Sequence, residues 1–166
     1  MPSLFRIVLL CAALGPLPGC GFIIVHGVKE IVATSQKNRK AEVDAELARF
    51  TDFMRRADYD SASRMFTADA QVRVEPREPI VGRVATADLF ASAFSASKPA
   101  AYVMQPTSTS DEGEQIRQNG SYGRTAVDPA GRPVVQRGTF EAVWTHPSDG
   151  RWSLRSLILA NPTSER

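Results

Sequence analysis

Glu46 to Val74, ELARFTDFMRRADYDSASRMFTADAQVRV, is the stretch that decides the fold. Val43, Leu47, Phe50 and Met54 recur at helical spacing and share one face, which Phe53 and Ala57 widen. Arg49, Asp52, Arg55 and Arg56 take the opposite side. Asp58 is placed to cap a second helix over 59–66, since a carboxylate there accepts from the free amides of the first turn. Asp60 adds negative charge near the positive end of the helix dipole. The corner Phe66-Thr67-Ala68-Asp69-Ala70 leads into a strand over 71–75. Pro76 and Pro79 make the next connection turn-rich. Gly82 precedes a third helix over 84–94, with Leu89, Phe90, Ala93 and Phe94 facing inward.

From Tyr102 the apolar period changes to two. Residues 102–110, 115–127, 133–145 and 151–160 read as four antiparallel strands, with hairpin turns at DPAGR (128–132) and HPSDGR (146–151). Even positions are mainly apolar: Ile116, Tyr122, Val134, Phe140, Ala142, Trp144, Trp152, Leu154 and Ile158. Odd positions Arg117, Asn119, Arg137, Thr139, Glu141 and Arg155 are polar, so one face is buried and the other is wet or at a subunit contact. Gly120 and Gly138 are expected as bulges that curve the sheet, and a bulge flips the parity beyond it. The expected class is α+β: three N-terminal helices packed on a strongly curved antiparallel sheet, forming a cone.

The chain has 166 residues, room for one domain and a leader, and its 43% hydrophobic and 23% charged content is ordinary for a globular protein. A net charge of +2 without an aromatic-interleaved basic patch argues against nucleic acid as a partner. The two cysteines, Cys11 and Cys20, both precede the domain, which therefore has no disulfide, thiol nucleophile or thiolate metal site. His26 and His146 lie far apart, and no His or carboxylate spacing converges on a metal. No cofactor is expected.

Residues 1–19 carry Arg6, the apolar run Ile7–Leu14 and then Gly15, Pro16, Leu17, Pro18 and Gly19, the order of a secretory signal. The cut site resembles the lipobox of bacterial lipoproteins, with Leu17 and Gly19 ahead of Cys20 and Pro18 departing from the usual small residue. That resemblance implies Cys20 as a lipid-carrying first mature residue, hence a membrane-lipid partner. The competing readings are an uncleaved anchor over 4–25 and an ordinary cut nearby that releases the protein. All three put the domain outside the cytoplasm, and lipidation puts it in the cell envelope, facing the periplasm or the exterior. The expected organisation is a signal at 1–19, a tether at 20–41 that turns helical toward the domain, and the domain at 42–162. Lys37, Arg39 and Lys40 in the tether read as a solvated linker cluster.

With its elements in this order, the chain resembles the NTF2-like superfamily, in its SnoaL-like and ketosteroid-isomerase-like branches. The likeness is carried by Asp58 ahead of Phe66, the corner Phe66-Thr67-Ala68-Asp69-Ala70 leading into Val72, Gly82-Arg83, and Val143-Trp144 followed by Asp149-Gly150-Arg151-Trp152. It implies a conical barrel with a deep apolar pocket, commonly dimeric through the sheet. The isomerase branch places a tyrosine, a general-base aspartate and a protonated aspartate at positions that fall here on Phe50, Val74 and Phe140. That chemistry needs a base and two donors for the enolate, and all three positions are apolar. No catalytic residue is therefore assigned, although one-residue slips would bring in Glu75 or Glu141.

The expected function is a membrane-anchored, non-catalytic domain that binds a small apolar ligand or a protein partner, including a second copy through the sheet. Phe50, Met54, Phe66, Tyr102, Tyr122, Phe140, Trp144 and Leu154 are the candidates for lining its pocket. The alternative is a SnoaL- or isomerase-type enzyme acting on a small hydrophobic, polyketide- or steroid-like substrate. His146 reads as a surface turn residue, and Asp58, Asp60 and Asp69 as capping and corner residues.

Overall fold

The computed structural model describes residues 20–94, 99–127, 130–146 and 150–165. The leader at 1–19 and the turn residues 128–129 and 147–149 lie outside the described residues. The chain divides into compact units at 1–35 and 36–166. Helix α1 (Cys20–Arg55) supplies the described part of the first unit, so the stretch read as a tether is helical throughout. The elements that follow α1 all lie in the second unit.

Here α1 is followed by α2 (Tyr59–Ser63), β1 (Phe66–Val74), β2 (Ile80–Val81), α3 (Arg83–Phe94), β3 (Pro99–Asp111), β4 (Gln115–Val127), β5 (Pro133–Thr145) and β6 (Ser153–Glu165). One curled sheet has the order β2-β1-β6-β5-β4-β3. The four long strands are antiparallel, as expected, but β1 joins β6 in parallel, so the sheet is mixed. The short strand β2, which pairs with β1 at Gln71–Val81 and Val72–Ile80, has no apolar alternation to announce it.

α1 ends where Ala57 adopts a left-handed backbone, φ 56°. The amide of Asp58 donates to the Phe53 carbonyl and that of Ala57 to the Met54 carbonyl, the paired bonds of a Schellman cap. Asp58 then caps α2 by accepting from the Ser61 amide at 3.1 Å, as its position predicts. α2 stops at Ser63, short of Phe66, because the corner is already strand-like. Arg83 fixes that corner: its Nε and Nη2 donate to the Phe66 carbonyl at 3.0 and 2.8 Å. Gly82, at φ +98°, donates its amide to the Ala70 carbonyl.

Two tryptophans tie α1 to the sheet. Trp152 Nε1 donates to Glu42 Oε2 at 2.9 Å. Trp144 Nε1 donates to Gln118 Oε1 at 2.9 Å, and Gln118 Nε2 donates onward to Asp44 Oδ1 at 2.7 Å. Arg39 pairs with Asp111 at 3.0 Å and lies over the Trp152 ring, so this member of the basic cluster is docked rather than solvated.

Neither Gly120 nor Gly138 is itself bulged, because the β4–β5 register is continuous from Gln115–Thr145 to Val127–Pro133. The irregularities sit on the outer neighbours: between Pro106 and Ser108 of β3, facing Gly120, and around Asn161 of β6, facing Gly138. Each glycine lies under a ring of its cross-strand partner, Gly120 under Phe140 and Gly138 under Tyr122. A third irregularity at Arg155 flips the parity of β6. Leu157 and Leu159 are therefore buried, whereas Ile158, expected inside, turns outward.

These contacts leave no room for a methyl group. A Cβ on Gly120 would stand 2.1 Å from the Gln105 carbonyl oxygen, and one on Gly138 2.4 Å from the Ala160 carbonyl oxygen. Gly123 on the same strand would meet only Val103 Cγ2 at 3.5 Å and the Gln136 carbonyl oxygen at 3.9 Å. Gly138→Ala is expected to lower the unfolding free energy by about 1–3 kcal/mol in urea titrations, the usual range for overpacking. Gly123→Ala should change it by less than about 0.5 kcal/mol, as for an unconstrained surface site.

Candidate functional site

Polar groups are scarce inside the curl, so those present stand out. Buried on its inward face, with the core residues, are Gln118 and Arg124 of β4. Gln118 is satisfied at both ends by Trp144 and Asp44. Arg124 is not.

Arg124 lies directly across from Tyr102 of β3 and Gln136 of β5, two residues beyond Tyr122 on the same strand. Its side of the sheet is set by the even parity it shares with Ile116 and Tyr122. The residue is 7% exposed. Its guanidinium stacks on the Phe94 ring of α3 at 4.6 Å. Nε donates to Gln136 Oε1 at 2.7 Å. Nη1 is buried and has no hydrogen-bond partner, and no carboxylate among the described residues forms an ion pair with this side chain.

Tyr102 is 3% exposed, and its hydroxyl is likewise buried without a partner. The ring meets Phe94 edge-on at 6.3 Å, and Phe94 in turn lies 6.2 Å from Tyr59 of α2. Burial pushes the Tyr102, Tyr59 and Tyr122 hydroxyls above the ordinary tyrosine range, so they remain neutral donors. Burial also pushes Arg124 down from the usual arginine value, against the field of these tyrosines. The result is one desolvated cation ringed by aromatic groups, with two idle donors.

No family model and no curated protein matches this chain by sequence. Solved structures match it by fold. A protein of unknown function from Mycobacterium tuberculosis superposes with a TM-score of 0.67 at 16% identity, covering 81% of this chain and 76% of that one. A ketosteroid isomerase-like protein from Erwinia carotovora gives 0.65 at 15% identity, covering 72% and 92%. An NTF2-like protein with a cystatin-like fold from Novosphingobium aromaticivorans gives 0.61 at 17% identity, covering 80% and 88%. The fold is NTF2-like.

Within this NTF2-like frame, the three isomerase-matched positions are packed apolar residues. Phe50 meets Phe66 edge-on at 5.9 Å and Phe90 at 6.0 Å, while Val74 and Phe140 are buried in the same core. The neighbouring carboxylates are engaged elsewhere. Glu75 accepts from the Asn161 amide at 2.9 Å and from Arg73, and the Asn161 bond, more than Arg73, holds its carboxyl below the usual glutamate range. Glu141 is half-exposed on the outward face and pairs with Arg117 at 2.7 Å. Neither supplies a base to the interior.

The residues expected to line a pocket are all in the buried core, at different depths. Phe50, Met54 and Phe66 are essentially inaccessible and Phe140 nearly so. Tyr102 and Tyr122 flank Arg124, and Trp144 and Leu154 pair across β5 and β6 near Gln118. His146 is exposed and rests edge-on against Trp152 at 5.0 Å. Asp60 pairs with Arg64, Asp69 is exposed at the corner, and no metal-competent cluster occurs among the described residues. Open surface grooves lie elsewhere: one of about 670 Å³ beside Glu75 and Arg77, another of about 570 Å³ beside Arg39 and His146.

Arg124 was the residue the alternating pattern left out. Its even position on β4, in step with Ile116 and Tyr122, was the available signal. A buried charge kept without a counter-charge destabilises the unligated fold. Arg124→Met, apolar and unbranched though two atoms shorter, should therefore raise the unfolding free energy of the unligated protein by roughly 1 kcal/mol. Urea unfolding of the two proteins side by side makes the comparison, and a marked loss of stability would mean that Arg124 is a satisfied structural residue.

Proposed function

We propose that this chain is an envelope-anchored, non-catalytic NTF2-like domain that binds a small apolar ligand. The observation that carries the reading is the pairing of an aromatic interior with a few buried, unpartnered donors at Arg124 and Tyr102. Ligand sites commonly have this make-up, with apolar walls for affinity and a few polar groups for orientation. Catalysis of the isomerase kind is disfavoured because Phe50, Val74 and Phe140 occupy the matched positions and Glu75 and Glu141 are bound outside.

Anchoring rests on the leader and on Cys20, the first residue of α1. Among the described residues no helix is long and apolar enough to cross a membrane. On this reading, lipid on Cys20 supplies the attachment to the membrane, with the domain facing the periplasm or the exterior.

Pairing with a second copy through the outward sheet face is the secondary reading. Val103 of β3 and Val127 of β4 favour it, being 49% and 45% exposed on that face. Against an extensive apolar interface, Arg117 there is already paired with Glu112 and Glu141.

Mass spectrometry of the full-length protein extracted from membranes tests these statements together. Under native conditions a small molecule should accompany the folded protein and leave on denaturation; a ligand-free species from every preparation would reject the binding reading. The denatured mass should correspond to a mature chain that begins at Cys20 and bears acyl groups. An unmodified N-terminus elsewhere would reject the lipid anchor, and a monomer at all concentrations would reject self-association.

A further inference from the structure

We infer that the ligand is an apolar monoanion whose carboxylate is held between Arg124 Nη1 and the Tyr102 hydroxyl. This rests on the binding reading above and specifies the chemistry of the ligand. Three observations carry it. The first is register: Tyr102 and Arg124 are direct cross-strand partners on the inward face, so both side chains rise from adjacent backbone positions into one region. Two donors from opposed residues suit the two oxygens of one carboxylate.

The second is satisfaction. Both residues are more than nine-tenths buried, and Nη1 and the hydroxyl are the atoms left without partners, while Nε is already used by Gln136. Gln136 in turn donates from Nε2 to Ser164 Oγ of β6 at 3.4 Å. Buried polar groups in folded proteins nearly always have partners, and these two idle atoms belong to side chains that pack against the same Phe94 ring.

The third is charge. Tyr59, Tyr102 and Tyr122 stay neutral around the guanidinium, and Glu75, whose field reaches Tyr122, spends its oxygens on Arg73 and the Asn161 amide. One positive charge is thus left to balance, which a carboxylate does and a phosphate dianion overshoots. The rings of Phe94 and Tyr59 next to it supply apolar contact for the rest of the molecule.

The test uses the full-length chain in dodecyl maltoside and four naphthalene probes: 2-naphthylacetate, 2-naphthylethanol, 2-naphthylethylammonium and 2-naphthyl phosphate. Calorimetric titration should rank the carboxylate about tenfold or more above the alcohol, as expected when an ion pair replaces a hydrogen bond in which only the guanidinium is charged. The ammonium should not bind measurably. Arg124→Met should remove the carboxylate preference, so that carboxylate and alcohol bind within about twofold of each other. Tyr102→Phe should weaken the carboxylate several-fold. Equal affinity for carboxylate and alcohol, or a preference that survives in Arg124→Met, overturns the anion assignment while leaving apolar binding intact. A phosphate that outranks the carboxylate overturns the monoanion assignment. Failure of all four probes, together with ligand-free native spectra, overturns the binding reading itself.

Discussion

Two aromatic rings standing over two glycines are the constraint on which this domain depends. Phe140 occupies the space above Gly120, and Tyr122 the space above Gly138, so each cross-strand pair places one bulky and one absent side chain on the inward face. At the same level, Gln105 of β3 and Ala160 of β6 bring their carbonyl oxygens to where a Cβ would be. The extra residues that this curvature requires are absorbed by β3 and β6. The sheet can then curl while β4 and β5 keep an unbroken ladder. The same arrangement puts Tyr122, and with it Arg124 two residues on, on the inward face opposite α3.

The two halves of the sheet interior serve different ends. At Gln118 both ends of the amide are used: the Trp144 indole donates to its oxygen and its nitrogen donates to Asp44 of α1. That chain fastens helix to sheet. Around Arg124 the balance is reversed, with a desolvated cation, an idle hydroxyl and aromatic walls. Stability alone does not explain keeping a charge there, because an apolar side chain such as methionine carries no desolvation cost. Retaining the cation makes physical sense if something with complementary charge joins it.

Much of the fold was legible in the sequence, for reasons that can be given residue by residue. The spacing of Val43, Leu47, Phe50 and Met54 gave the inner face of α1, and all four are buried. Asp58 announced the α2 cap, and the boundaries of β4 and β5 followed directly from the alternation and the turn residues. What stayed hidden was non-local. A left-handed alanine at position 57 has no sequence signature, since glycine is the usual choice there. The parallel β1–β6 pairing and the parity flip at Arg155 depend on which strands meet, which no single strand records. The candidate site was half legible: Tyr102 and Tyr122 were among the pocket candidates, whereas Arg124 was passed over because charged residues are expected on the wet face.

The central claim is that Arg124 and Tyr102 await an anion, and a high-resolution crystal structure of the protein purified without added ligand examines it most directly. The expected result is non-protein density within hydrogen-bonding distance of both Arg124 Nη1 and the Tyr102 hydroxyl, continuing as an apolar body along Phe94. Direct protein partners for both atoms, with the rings closed over them and no such density, would contradict it.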